Sequence, residues 1–185
     1  SRWKIFDNLR RSVVSLACVL LLLLSWMYLP EAGVFTLAVL SFIFLPVVFT
    51  SFWQLFHKPK EIDLKQHLKE CFAVAEDNLA QLLLKVATLP YEGYYSIDAI
   101  LRTLWRLAIS RKHLLEWTPS GSFKASKSLL RTFLAMWIGP VLSLILFIYL
   151  SIERPDALSG ATVFLFLWAI APAMTWWISL PIHKR

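Results

Sequence analysis

The strongest constraint on this chain is a set of long apolar runs that contain no Asp, Glu, Lys or Arg: Ser12–Leu29, Val34–Phe56, Thr132–Ile152 and Ala161–Ile182. Charge-free apolar stretches of about 18 residues or more match the hydrocarbon thickness of a bilayer. Every backbone polar group in lipid must be satisfied within the protein, so such runs fold as helices. They come in two pairs, joined by the short connections Pro30–Gly33 and Glu153–Gly160. The expected fold is an all-α membrane protein with four transmembrane helices as two hairpins. The composition agrees: 58% of residues are hydrophobic, mean hydropathy is +0.61, and there are nine Trp and thirteen Phe.

The formal charge of +7 is informative by position. Arg2, Lys4, Arg10 and Arg11 precede the first run, a cluster of Lys and Arg lies between Lys58 and Lys127, Arg131 abuts the third run, and Lys184 and Arg185 follow the fourth. The short connections carry only Arg154. Basic residues stay on the cytoplasmic side, which predicts an inner-membrane chain with both termini and the middle segment cytosolic. The same bias accounts for the pI of about 9.6 by topology rather than by nucleic-acid binding. The division expected is residues 1–56 as a lead-in and first hairpin, 57–127 as a cytosolic amphipathic helical segment, and 128–185 as the second hairpin. The first Met is Met27, and the chain reads as an excised piece of a longer polypeptide. The basic start followed by an apolar run resembles a signal peptide, but no small-residue cleavage site follows and Val34 begins another run at once. Cys18 falls in a membrane run and Cys71 in the middle segment, so they do not pair.

Periodicity within residues 57–127 predicts two amphipathic helices. From Ile62 to Leu89, apolar residues recur at intervals of three and four, and the pattern stops at Leu89-Pro90. Tyr91-Glu92-Gly93-Tyr94-Tyr95 is expected to turn the chain. Ile97–Trp117 then places Ile100, Leu101, Leu104, Trp105, Leu107, Ala108, Leu114 and Leu115 on one side and Arg102, Arg106 and His113 on another, with Ser110 beside them. Ser96 is the expected N-cap and Asp98 complements the helix N-terminus. A basic amphipathic helix of this kind lies on an anionic membrane face or docks on a cytosolic domain. Pro46 is expected to kink the second span near its middle, freeing a carbonyl that a neighbouring helix must cover; Gly139-Pro140 is a second kink site, and Pro172 interrupts the fourth run. Trp26, Tyr28 and Trp53 are expected in the interfacial aromatic belts.

Little chemistry is encoded. The five glycines are too dispersed for a phosphate loop, and no cofactor is expected in this segment. His57 and His67 beside Glu61 and Asp63 read as surface residues rather than metal ligands. Ser110 and His113 share a helical face, but an orienting acid and an oxyanion hole are missing, and Glu116 lies on another face. The spans contain no ionisable residue of the kind that ion-coupled carriers and voltage sensors require. Small residues such as Ser25, Ser143, Ala169 and Ala171 are expected to pack helix against helix. Tyr91, Glu92, Tyr94 and Tyr95 combine aromatic faces with a carboxylate, the means by which sugar rings are often held, though tyrosines at a membrane surface are also routine.

Two stretches carry a family resemblance. SRWKIFDNLRRS at Ser1–Ser12 and RTLWRLAISRKHLLEWT at Arg102–Thr118, with PYEGYYSIDAI at Pro90–Ile100 between them, resemble the membrane region of cyclic β-1,2-glucan synthases. In that family this region follows a cytosolic domain of glycosyltransferase family 84 and precedes a phosphorylase-like domain of glycoside hydrolase family 94. The resemblance implies a UDP-glucose-dependent enzyme that primes on itself and closes a β-1,2-linked ring, which leaves through a separate ATP-driven exporter. No catalytic residue carries over, because the donor-binding and acceptor motifs would precede Ser1. What carries over is position: Arg2, Trp3, Lys4, Asp7, Arg10 and Arg11 as the exit from the synthase domain, and Arg102, Trp105, Arg106, Arg111, His113, Glu116 and Trp117 as a matching cytosolic motif. These residues are expected to contact that domain of the same polypeptide or membrane lipids. The residues alone leave open a self-contained four-span export or scaffold subunit. They also leave open a different glycosyltransferase whose spans guide a polymer past Trp26, Trp53, Trp137 and Trp168.

Overall fold

The computed structural model describes residues 2–57, 63–110 and 128–180. Six α-helices are formed: α1 Arg2–Tyr28, α2 Ala32–Phe56, α3 Leu64–Trp105 with a π-helical turn Arg106–Ser110 at its end, α4 Leu129–Ala135, α5 Ile138–Glu153 and α6 Pro155–Ile178. α1 with α2 and α5 with α6 are the two hairpins, as the apolar runs predict. By length and composition α2 and α6 can each cross a membrane, and α4 with α5 makes a third crossing if the bent pair is one span. The apolar part of α1, Ser12–Tyr28, is shorter. At about 1.5 Å per residue it extends about 25 Å, against about 30 Å of hydrocarbon.

The outward faces fit lipid rather than water. α2 buries only the stripe Ala32, Thr36, Val39 and Ile43, while Leu37, Phe42, Leu45, Val48, Phe49 and Phe52 stand exposed. Between the hairpins the packing is interior-like. Trp26, Phe164 and Trp168 form its centre, with Trp26 5.6 Å from each of the other two rings. Trp26 Nε1 donates to Thr36 Oγ1 at 2.8 Å, and Thr36 Oγ1 donates to the Ala32 carbonyl at 2.7 Å. Trp26 and Trp168 are both 0% exposed. This corrects the expectation that Trp26 belongs to the outer belt: a large aromatic with an N–H is retained in the core once that N–H has an acceptor. It also removes the tryptophan-lined path, since Trp53 and Trp137 lie exposed while the other two are sealed against each other. Tyr28 and Trp53 are exposed, as belt residues are.

The prolines act as the sequence predicts at one place and differently at another. Pro140 removes the N–H that would reach the Met136 carbonyl, and α4 and α5 break at Met136-Trp137 with a bend of 68°. α2 and α6 run through Pro46 and Pro172 without interruption. The connection within the second hairpin is tighter than expected. α6 begins with Pro155 in its first turn rather than at Ala161, which leaves Arg154 as the single hinge residue. The Arg154 guanidinium donates to the carbonyls of Met27 (3.2 Å) and Leu29 (2.8 Å), capping the C-terminal end of α1 and tying the turns of the two hairpins together.

The largest correction concerns the middle segment. The sequence predicts a stop at Leu89-Pro90, a tyrosine turn and a second helix capped by Ser96. The structure instead has one helix from Leu64 to Trp105, with Pro90, Tyr91–Tyr95 and Ser96 inside it. Leu82, Val86, Ala87, Leu89, Pro90 and Gly93 are buried. The expected surface layer is thus a helix whose middle belongs to the core. Its early turns meet α2, where Asn78 Nδ2 donates to Ser51 Oγ at 3.1 Å. Further along it meets α1, where Gly93 rests on the Leu16 backbone; a Cβ there would lie 3.5 Å from Leu16 Cα. Since α1 and α2 are the arms of one hairpin, α3 crosses from one arm to the other. It packs on α5 and α6 as well.

Candidate functional site

The lead-in and the basic half of α3 are each helical and carry a local ion pair. Trp3 and Phe6 are exposed with rings 6.0 Å apart, and Arg10 Nη2 lies 2.9 Å from Asp7 Oδ1. Arg2, Lys4 and Arg11 lie in the same helix, which continues without a break into the apolar part of α1. In α3, Arg102 Nε donates to Asp98 Oδ1 at 2.8 Å. Asp98 therefore serves its own helix as an i,i+4 partner instead of sitting at an N-terminus, and such an exposed pair contributes about 0.3–0.5 kcal/mol. Leu101, Leu104 and Trp105 are more than half exposed, so the apolar face of this half is unburied and borders the arginines. Arg106 opens the π-helical turn. Arg111, His113, Glu116 and Trp117 lie outside the described residues, as does any pairing of Ser110 with His113.

The tyrosine group has a different geometry from the loop expected of it. Tyr91 and Tyr95 are one helical turn apart and stack at 6.3 Å, while Tyr94 meets Trp137 of α5 edge-on at 6.3 Å. Tyr94, Tyr95 and Trp137 are exposed. Glu92 points the other way. Its Oε2 accepts from Ser15 Oγ at 2.8 Å, its Oε1 accepts from Thr88 Oγ1 at 3.1 Å, and Lys85 Nζ is 4.0 Å away. This carboxylate joins α3 to α1. Ser15 is buried, and nothing in its apolar surroundings marks it as the partner of a residue 77 positions away.

Two apolar grooves flank α3. One, of about 380 Å³, lies between α2 and α3 and is lined by residues including Phe44, Ser51, Phe52, Cys71 and Asn78. The other, of about 410 Å³, lies among α2, α3 and α6 around Leu40, Leu83 and Val163. Neither has the polar residues that would orient a sugar nucleotide. Among the described residues no group of three or more His, Cys, Asp and Glu could hold a metal ion. His67 is buried rather than superficial, with Nε2 3.4 Å from the Leu55 carbonyl oxygen.

No protein-family model matches the sequence. Over 182 residues the chain is 27% identical to the cyclic β-(1,2)-glucan synthase NdvB of Rhizobium meliloti (strain 1021). The chain is related to NdvB. The match takes in 96% of this chain and 6% of that protein, so this chain spans a small fraction of the length of the relative it matches. The alignment thus takes in nearly the whole of this chain.

Proposed function

We propose that this chain is the membrane-embedded segment of a cyclic β-1,2-glucan synthase, with four spans as two hairpins in the bacterial inner membrane and both termini cytoplasmic. It anchors and orients a cytosolic, UDP-glucose-dependent glycosyltransferase domain of the same polypeptide, a domain of glycosyltransferase family 84 that precedes Ser1. The observation that carries the reading is the similarity to NdvB over 96% of the chain. The geometry supports it in a further respect. The helix that begins at Arg2 is held to the helix that carries Arg102 and Arg106 through Ser15, Glu92 and Gly93.

In this reading Arg2, Trp3, Lys4, Arg10 and Arg11 on one side, and Arg102, Trp105, Arg106, Arg111, His113, Glu116 and Trp117 on the other, form a collar on the cytosolic face. The guanidinium groups meet acidic groups of the catalytic domain or lipid phosphates. Leu101, Leu104 and Trp105 rest in the headgroup region. Tyr91, Tyr94 and Tyr95 are the surface from which a nascent glucan could be contacted, while Glu92 is engaged in holding α1. The chain contributes orientation, not acid–base or nucleophilic chemistry.

The test is the full-length polypeptide carrying Arg102→Glu and Arg106→Glu. Membrane insertion should be unchanged, and glucan synthesis from UDP-glucose in isolated membranes should fall at least several-fold. Native-level synthesis by a correctly inserted double variant would refute the collar.

A further inference from the structure

Pro90 has no N–H, so the Val86 carbonyl lacks the donor that residue i+4 supplies throughout a helix interior. Val86 is 2% exposed, so bulk water does not replace it. The donor comes from another helix: Trp168 Nε1 of α6 reaches the Val86 carbonyl oxygen at 3.0 Å. The indole is fixed independently of that bond, since its ring lies 5.6 Å from Trp26 and 6.3 Å from Phe164. Pro172 repeats the pattern one helix away by withholding the i+4 donor from the carbonyl of Trp168 itself. Gly139 of α5 sits against that oxygen, so closely that a Cβ at position 139 would come within 3.0 Å of it. Two prolines on two helices therefore release two carbonyls, and Trp168 is party to both.

We infer that Trp168 is a positioning residue for α3: through its N–H it sets the direction in which the helix continues past Pro90, and so couples the second hairpin to the basic half of α3. Before Pro90, Asn78 is bonded to Ser51 of α2, whereas Glu92, Gly93 and Tyr94 after it rest on Ser15, Leu16 and Trp137. Pro90 lies between these two sets of contacts, and the indole N–H meets the carbonyl that the proline leaves without a helical donor. Ring packing alone would be served by phenylalanine; the joint needs the N–H. The inference concerns how α3 is held, and stands whether or not α3 supports a synthase domain.

A mutant cycle on the full-length polypeptide in lipid nanodiscs tests it, reading amide hydrogen exchange across residues 82–96. Trp168→Phe should speed exchange there about tenfold, the effect of one unpaired buried carbonyl. Pro90→Ala should leave the rate near native, and Trp168→Phe/Pro90→Ala should return it to near native, because the alanine N–H gives the Val86 carbonyl a donor within its own helix. A packing defect around Trp26 and Phe164 would not be repaired by an N–H at position 90. A double variant that exchanges as fast as Trp168→Phe, or a Trp168→Phe protein that exchanges like the native one, overturns the inference. If Trp168→Phe does not accumulate in membranes, accumulation becomes the readout: recovery with Pro90→Ala supports the joint, and no recovery refutes it.

Discussion

Gly139 and Ser143 show how single residues set the approach of α5 to α6. Ser143 Oγ donates to the Leu165 carbonyl at 2.6 Å, and Gly139 admits the Trp168 carbonyl. An interhelical hydrogen bond in a membrane averages about 0.6 kcal/mol, because the separated helices also find partners. Ser143→Ala should therefore lower stability by about that much. Gly139→Val should cost about 1–3 kcal/mol, since the new side chain meets backbone that is itself packed. Thermal unfolding in detergent should rank the two in that order. Arg154→Ala removes a charged donor from two carbonyls at the turn of the first hairpin, and the same assay should register a loss of about 1–2 kcal/mol, below the full value because the site is partly solvated. The role of Ser143 in packing was legible in the sequence as a small residue in an apolar run. That of Arg154 was not: the positive-inside pattern treats it as a stray charge, and only the positions of Met27 and Leu29 explain it.

Among the elements, α3 is where sequence and structure part. Its amphipathic spacing identified helix on both sides of Pro90, and its basic half was recognisable from Asp98, Arg102 and Arg106. What spacing could not reveal was a donor on α6, 82 residues away, that lets the helix pass its proline. The same physics was legible at Pro140, where the missing N–H produces the break at Met136-Trp137 without outside help. The site residues divide likewise. Trp105 is as exposed as a surface helix predicts, whereas Glu92 looked like a ligand group and is a link between helices. Glu92→Ala should loosen that link, raising hydrogen exchange in residues 88–96 by several-fold. Glu92→Gln keeps an acceptor for Ser15 and should stay close to native; equal effects of the two substitutions would assign the contact to packing instead.

At the scale of the whole molecule, the exposed apolar faces of α2 and α6 and the sealed Trp26–Phe164–Trp168 centre are compatible with lipid as the solvent, and the proposed function takes lipid to surround both hairpins. Helices with so narrow a buried stripe would associate in water, and in a bilayer they do not need to. The most direct test is cysteine labelling with a membrane-impermeant maleimide, in intact cells whose outer membrane is made permeable to it. The full-length polypeptide would carry Cys18→Ala and Cys71→Ala and a single new cysteine at Tyr28 or Lys65. Tyr28→Cys, at the outer turn, should be labelled from the periplasm, and Lys65→Cys, at the start of α3, only after the inner membrane is opened. Labelling of Lys65→Cys from the periplasm would contradict the topology on which the fold and its proposed function both depend.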